Sequence, residues 1–278
     1  MVSTIQIKPA IPLQPFVSCY ALRSFNTDDR GILKPMFAVH ESYMTFFLRG
    51  GSCEVTDIHG RSNSRISHAL VNLFTESQGG TLYTGNYVLF SVQFKCNGIS
   101  SIFGIPQKML VNHIISLADI LPGESNLLAE QLAEDIRIEK IAAVMNAYLL
   151  KKLFAHKQKT YTDNICAASD VILKNHGTVN IDKLAYYANM SARNFERRFI
   201  DEVGMPPKLY ARITRFFAAI EDKALHPYKS WRDIVYEYNF YDQTHFIKEV
   251  KTFSFRTPEE LFTITPPVAE NYVSRVEY

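Results

Sequence analysis

Two stretches of this chain, fifty residues apart, are punctuated in the same way, and any fold must accommodate that repetition. Asn180 can cap a short helix carrying Ile181, Leu184, Ala185 and Ala188, and after a tight turn at Asn189-Met190, Ser191 can cap a second helix carrying Phe195 and Phe199. Further on, Ser230 and Asp233 form an S-x-x-D capping box ahead of Ile234 and Val235, Tyr238-Asn239 makes the turn, and Asp242 can cap a helix carrying Phe246 and Val250. Leu184-Ala185 and Met190 correspond to Ile234-Val235 and Phe240 at an offset of 50, and Phe195, Phe199 and Pro207 to Phe246, Val250 and Pro258 at 51. Two short helices joined by so brief a turn must cross steeply, which is the helix-turn-helix arrangement.

The copies are joined by a helix that Pro206 and Pro207 open and that bears Tyr210, Ile213, Phe216, Phe217 and Ile220; proline suits a first helical turn because its missing N–H would be unbonded there. Thr257-Pro258-Glu259-Glu260 combines the same device with a capping box. If this linking helix spaces the second helices of the two units by about one turn of DNA, roughly 34 Å, both can enter the major groove from one side.

The rest of the chain reads differently. From residue 1 to about 105, aromatic and β-branched runs are separated by turn signals at Asp28-Asp29-Arg30-Gly31, Arg49-Gly50-Gly51 and Gln78-Gly79-Gly80, so an antiparallel sandwich or small barrel is predicted. Its clearest strand is Tyr87 to Phe94, where Val88, Phe90, Val92 and Phe94 alternate with Leu89, Ser91 and Gln93, a pattern that buries one face. After Pro106 the period becomes helical. Ile138, Ile141, Ala142, Met145, Leu149 and Leu153 form a stripe on a helix that Asp135 can cap; the stripe either packs on the preceding sheet or forms a dimer seam. Lys151, Lys152, His156, Lys157 and Lys159 lead to a domain boundary near Thr160, and Lys174-Asn175-His176-Gly177 ends the next helix with glycine where left-handed backbone is needed.

A length of 278 residues fits two domains, and 47% hydrophobic with 21% charged residues is ordinary for a globular protein. With no basic start before an apolar run and no 18-residue apolar stretch, the expectation is a cytoplasmic protein with no membrane segment. Cys19, Cys53, Cys96 and Cys166 lack Cys-x-x-Cys spacing and read as reduced core thiols.

The repeated unit resembles the AraC/XylS family of bacterial transcriptional regulators. The first copy carries the likeness through Ile181, Leu184-Ala185, Met190-Ser191, Arg193, Arg197, Phe199, Gly204, Pro207, Tyr210 and Arg212, and the second through Asp233-Ile234, Phe240, Asp242-Gln243-Thr244-His245-Phe246, Lys248, Lys251 and Thr257-Pro258. Three positions depart from the pattern. Asn239 stands where Gly is usual, Val250 where Phe is common, and Phe255 where the second Gly is usual. Asparagine tolerates positive φ, whereas Phe255 leaves the last turn of the second unit open. More loosely, Pro12-Leu13-Gln14-Pro15-Phe16 through Tyr20 and Phe103-Gly104-Ile105-Pro106 resemble the sensor halves of some of these regulators.

The resemblance implies an α+β chain: residues 1–158 a cupin-like antiparallel β domain with trailing helices from about 106, for sensing and dimerisation; 160–262 an all-α DNA-binding domain with two helix-turn-helix units; 263–278 a tail. It also implies double-stranded DNA as partner, a nucleoid-associated location, a homodimer, and a small-molecule effector or RNA polymerase contact, with no cofactor.

Removing the core positions from the first recognition helix leaves Arg193, Asn194, Glu196 and Arg197 exposed beside Arg198. The family likeness places base readout at Arg193, Glu196 and Arg197, and the chemistry agrees: arginine can donate two bonds to guanine and glutamate can accept from cytosine. On the second helix the set is Tyr241, Gln243, Thr244, Lys248 and Lys251, with glutamine suited to adenine, threonine to a thymine methyl and the lysines to phosphate. His245 fits a phosphate contact and a structural hydrogen bond equally well, and Trp231 reads as core. Residues 160–262 hold 14 Lys plus Arg against 14 Asp plus Glu, so non-specific affinity should be modest and occupancy should depend on dimerisation or an effector.

Two other function classes bear on the same residues. A protein-interaction module would follow if the second unit no longer grips DNA. A metal-dependent cupin enzyme needs clustered His and Glu, and His40-Glu41, His59 and His68 lack that spacing, so they read as surface or hydrogen-bonded histidines and no catalytic or metal residue is expected.

Overall fold

The computed structural model describes residues 3–27, 31–71, 73–156 and 163–264. Among the described residues ten strands, β1 (Ser3–Ile7), β2 (Val17–Asn26), β3 (Ile32–Pro35), β4 (Ser42–Arg49), β5 (Cys53–Thr56), β6 (Ser62–Ile66), β7 (His68–Val71), β8 (Gly80–Tyr83), β9 (Asn86–Phe94) and β10 (Ile114–Ser116), form two antiparallel sheets. The larger runs β1-β2-β9-β4-β7-β10 and the smaller β3-β8-β5-β6. They face one another across Phe47, Cys53, Tyr87 and Leu89, with Phe25 of the larger sheet edge-on to Tyr83 of the smaller at 5.4 Å. The tight turns at Gly50-Gly51 and Gly79 occur where expected, while Asp28-Asp29-Arg30 lies outside the described residues.

β9 corrects the expectation of one buried face. Phe90, Val92 and Phe94 are buried toward the helices, but Leu89 and Gln93 on the opposite face are buried as well. The reason is position: β9 pairs with β2 on one side and β4 on the other, and a central strand covered by helices on one face and a second sheet on the other has no solvent side.

The change of period at Pro106 is also less clean than the sequence pattern implies. Helix α1 (Gly98–Phe103) precedes it, and β10 follows it to complete the edge of the larger sheet beside β7. Then come α2 (Leu117–Ile120), α3 (Ser125–Glu134) and α4 (Ile138–Ala155). The α4 stripe is buried at Ile138, Ile141, Ala142, Met145 and Leu149 against Tyr20, Phe90, Val92 and α1, which favours sheet packing over a dimer seam for that face. The Tyr20 hydroxyl donates to Asn146 Oδ1 at 2.8 Å across the same contact. Asp135 does not cap α4: its carboxylate accepts from the backbone N–H and guanidinium of Arg137, which itself occupies the cap position.

Lys157, Lys159 and the expected boundary near Thr160 lie outside the described residues. The C-terminal part comprises α5 (Asp163–Lys174), α6 (Ile181–Tyr187), α7 (Ala192–Val203), α8 (Pro207–Leu225), α9 (Trp231–Glu237), α10 (Gln243–Ser254) and α11 (Pro258–Ile264), the last reaching two residues into the expected tail. Phe195, Phe199, Tyr210, Phe216, Phe246 and Phe253 fill one core, and Trp231 packs on its edge against Phe246 and Phe262.

That core takes in Phe37, Ala38 and Leu73 from the β domain. The Ala38 N–H donates to Phe253 O at 3.0 Å, and the His40 ring lies edge-on to Tyr210 and Phe217 at 5.9 and 5.5 Å. His40 is therefore a buried junction residue and not a surface histidine, and burial lowers its pKa.

Candidate nucleic-acid interface

The two helix-turn-helix units repeat in backbone detail. In the first, Asn180 Oδ1 accepts from the Lys183 N–H at 2.9 Å to open α6; Asn189 then takes φ 56°, and the Met190 N–H returns to Ala185 O at 3.0 Å. In the second, Ser230 and Asp233 complete the capping box that opens α9, Asn239 takes φ 52°, and the Phe240 N–H returns to Val235 O at 3.0 Å. Asparagine is one of the few residues other than glycine that enters left-handed backbone readily, so Asn239 preserves the turn.

The recognition helices end alike. Gly204 (φ 100°) closes α7 with its N–H on Ile200 O, and Phe255 (φ 58°) closes α10 with its N–H on Lys251 O, both at 2.9 Å. The last turn that Phe255 left open thus has the same left-handed closure, at a cost of about 1–2 kcal/mol for a side chain with a Cβ.

On α7, the Ser191 hydroxyl accepts from the Asn194 N–H at 3.3 Å, and Phe195 and Phe199 point inward. Arg193, Glu196 and Arg197 are exposed, and with Ser191, Asn194 and Ile200 they line an open groove of about 480 Å³. Asn194 Oδ1 accepts from Arg197 Nη2 at 2.9 Å, holding the guanidinium along the helix. Arg198 turns away from this face, its guanidinium donating to the buried Glu202 carboxylate at 3.0 Å.

On α10, Asp242 Oδ1 accepts from the His245 N–H at 2.6 Å. Tyr241 is 91% exposed, and Gln243, Thr244, Lys248 and Lys251 share the solvent side with it. His245 is occupied: its Nδ1 accepts from the Tyr241 N–H at 3.4 Å, and its Nε2 lies 3.9 Å from Glu249. The geometry supports the structural side of its two readings.

Two carboxylates escape reasoning by exposed face. Glu249 is buried beside Phe246, Val250 and Phe253, and Arg212 of α8 grips it with two bonds of 3.1 and 2.6 Å while Arg215 approaches to 3.9 Å. This clamp fixes the angle between the linking helix and the second recognition helix; Glu249 in turn holds the Arg212 guanidinium above its usual pKa. Glu202 does related work with Arg198. The available signal was an acid on an apolar stripe: Glu249 follows Phe246 by three residues, and Glu202 follows Phe199 by three.

Among the described residues no group of three or more His, Cys, Asp or Glu side chains could hold a metal, and no helix is long and apolar enough to cross a membrane. His68 serves the sheet, its Nδ1 accepting from the Phe47 N–H at 3.1 Å.

Residues 184–263 match a family described as a helix-turn-helix domain. No curated protein sequence matches the chain. Among solved structures it is similar to ToxT from Vibrio cholerae O395, at 11% identity and a TM-score of 0.49 over 90% of this chain and 99% of that one. It is also similar to unsaturated fatty acid bound wild-type ToxT from Vibrio cholerae strain SCE256, at 12% identity and a TM-score of 0.47 over 89% and 96%.

Proposed function

We propose that this chain is a DNA-binding transcriptional regulator of the AraC type that reads two successive major-groove segments, one with α7 and one with α10; the helix-turn-helix match over residues 184–263 supports the DNA-binding part of that reading. The observation that carries this reading is the equivalence of the two units: each has a left-handed asparagine turn, a left-handed helix end and a capped recognition helix with polar residues outward.

Arg193, Glu196 and Arg197 read base edges in one segment, with Asn194 as the brace of Arg197. Gln243 and Thr244 do so in the other, while Lys248, Lys251 and the Tyr241 hydroxyl meet phosphates. Arg198 and His245 support the helices from behind. With acidic and basic groups balanced over 160–262, one module neutralises few phosphates, and a homodimer that binds two adjacent sites gains the missing affinity through effective concentration. Contact with RNA polymerase belongs to the same reading.

Control is assigned to the β domain. The Lys34 ammonium is drawn down to about 7 by burial and by the Arg23 guanidinium, and Arg23 Nε is buried without a partner. An anion placed beside these two groups would restore the charge of Lys34 and give Arg23 Nε a partner, so the effector class that suits them is an acidic small molecule. Footprinting of a selected operator tests the DNA reading: protection of two major-groove segments about one helical turn apart is expected, and a single short segment would remove α10 from the interface.

A further inference from the structure

Cys96 follows β9 in the β domain, and Cys166 lies in the first turn of α5, at the start of the C-terminal part. They stand 70 positions apart in the chain, yet their Sγ atoms are 3.3 Å apart. Both are free and partly exposed, whereas Cys19 and Cys53 are buried and burial pushes both thiols up, to about 12 and about 11. The expectation of four core thiols therefore holds for two, and the other two meet at the seam between domains. We infer that Cys96 and Cys166 are a modification site at which a hydroperoxide closes a disulfide that ties the two domains covalently.

The geometry is close to what the bond requires. A disulfide needs the sulfurs about 2.05 Å apart, so each has to move by well under 1 Å from the present contact. The surroundings already hold the two sides together without it: Ala38 is bonded to Phe253, His40 rests between the rings of Tyr210 and Phe217, and Lys108 reaches Asp201 of α7 at 3.5 Å. The contact with Cys96, and then burial, push the Cys166 thiol up from the ordinary range. Either sulfur can be oxidised first, with the same product; one course runs through Cys96.

The Cys96 thiol gives its proton to water, and its sulfur attacks one oxygen of the hydroperoxide. The O–O bond breaks, the far oxygen leaves with a proton, and Cys96 becomes a sulfenic acid. The Cys166 sulfur then attacks the Cys96 sulfur; the S–S bond forms, the S–O bond breaks, and the departing hydroxyl takes the Cys166 proton to leave as water. Two thiols lose two electrons and one hydroperoxide gains them. Docking of the sensor domain on the DNA-binding domain then becomes a covalent state, reversed by a dithiol reductant.

The test treats the full chain with hydrogen peroxide, quenches with an alkylating reagent, and counts thiols after denaturation. The count is expected to fall from four to two, with one cross-linked peptide pair containing Cys96 and Cys166 that dithiothreitol releases. Cys96→Ser and Cys166→Ser should each abolish the pair; if either fails to fold, the peptide map of the unaltered chain still decides. A count that stays at four, single-site sulfinic acid without the cross-link, or disulfides between two chains would overturn the proposal.

Discussion

Phe255 offers a clean test of how the second unit is held. It sits at φ 58° and ψ 15° with its side chain 53% exposed, doing in α10 what Gly204 does in α7. Left-handed backbone costs an L residue about 1–2 kcal/mol. Glycine removes that cost but frees the unfolded chain, which returns about 0.4–1 kcal/mol. Comparing Phe255→Gly with Phe255→Ala isolates the backbone, since both variants lose the ring and only alanine keeps the strain. The glycine variant should be the more stable by about 0.5–1 kcal/mol, opposite in sign to the same comparison in a helix interior, where glycine is worse than alanine by about 0.5–1 kcal/mol. In a domain of about a hundred residues this difference corresponds to a melting temperature some 2–8 °C higher. Thermal and urea denaturation followed by circular dichroism measure it. An alanine variant as stable as the glycine one would refute the left-handed closure and, with it, the equivalence of the two units.

Arg197→Ala should weaken operator binding by about 1–3 kcal/mol and relax preference at one base pair, and unchanged selectivity in a gel-shift series would remove it from base readout. Lys251→Ala should weaken binding about equally for all sequences and reduce the slope of log affinity against log salt by about 1, measured by fluorescence anisotropy. Arg212→Ala leaves the buried Glu249 carboxylate without its bidentate partner; since Arg212 is itself 37% exposed, the loss should be about 1–3 kcal/mol rather than the 3–5 kcal/mol of a fully buried pair, read by urea denaturation. Lys34 is held neutral above about pH 7 in the folded chain while the unfolded chain keeps the proton to its ordinary pKa of 10.5, so its contribution makes stability rise with pH above 7. Lys34→Met should flatten that rise in melting temperature between about pH 7 and 9.

Much of the DNA-binding module was legible because its determinants are local. A cap, a tight turn and a proline-opened helix depend on residues within four or five positions of one another, and Ser191, Asp242, Thr257 and the two asparagine turns act as their spacing implies. The exposed faces of α7 and α10 followed from the same local periodicity. Even Phe255 was visible as a departure, although its outcome was not: whether a side chain accepts left-handed backbone depends on how strongly the packed helices at either end demand it.

What the tertiary structure decided lies at long range. No periodicity tells that β9 is central and buried on both faces, because that depends on which strands flank it. Arg198 and His245 look like DNA contacts on a helical wheel, and only the neighbouring Glu202, Tyr241 and Glu249 show that they are engaged elsewhere. Arg212 and Glu249, 37 positions apart, and Cys96 and Cys166, 70 apart, become pairs only when the chain closes on itself. The amino-acid sequence thus determined the two recognition units, through interactions confined to single turns of helix. Their bracing against each other and their docking on the β domain were decided by contacts that exist only in the assembled fold.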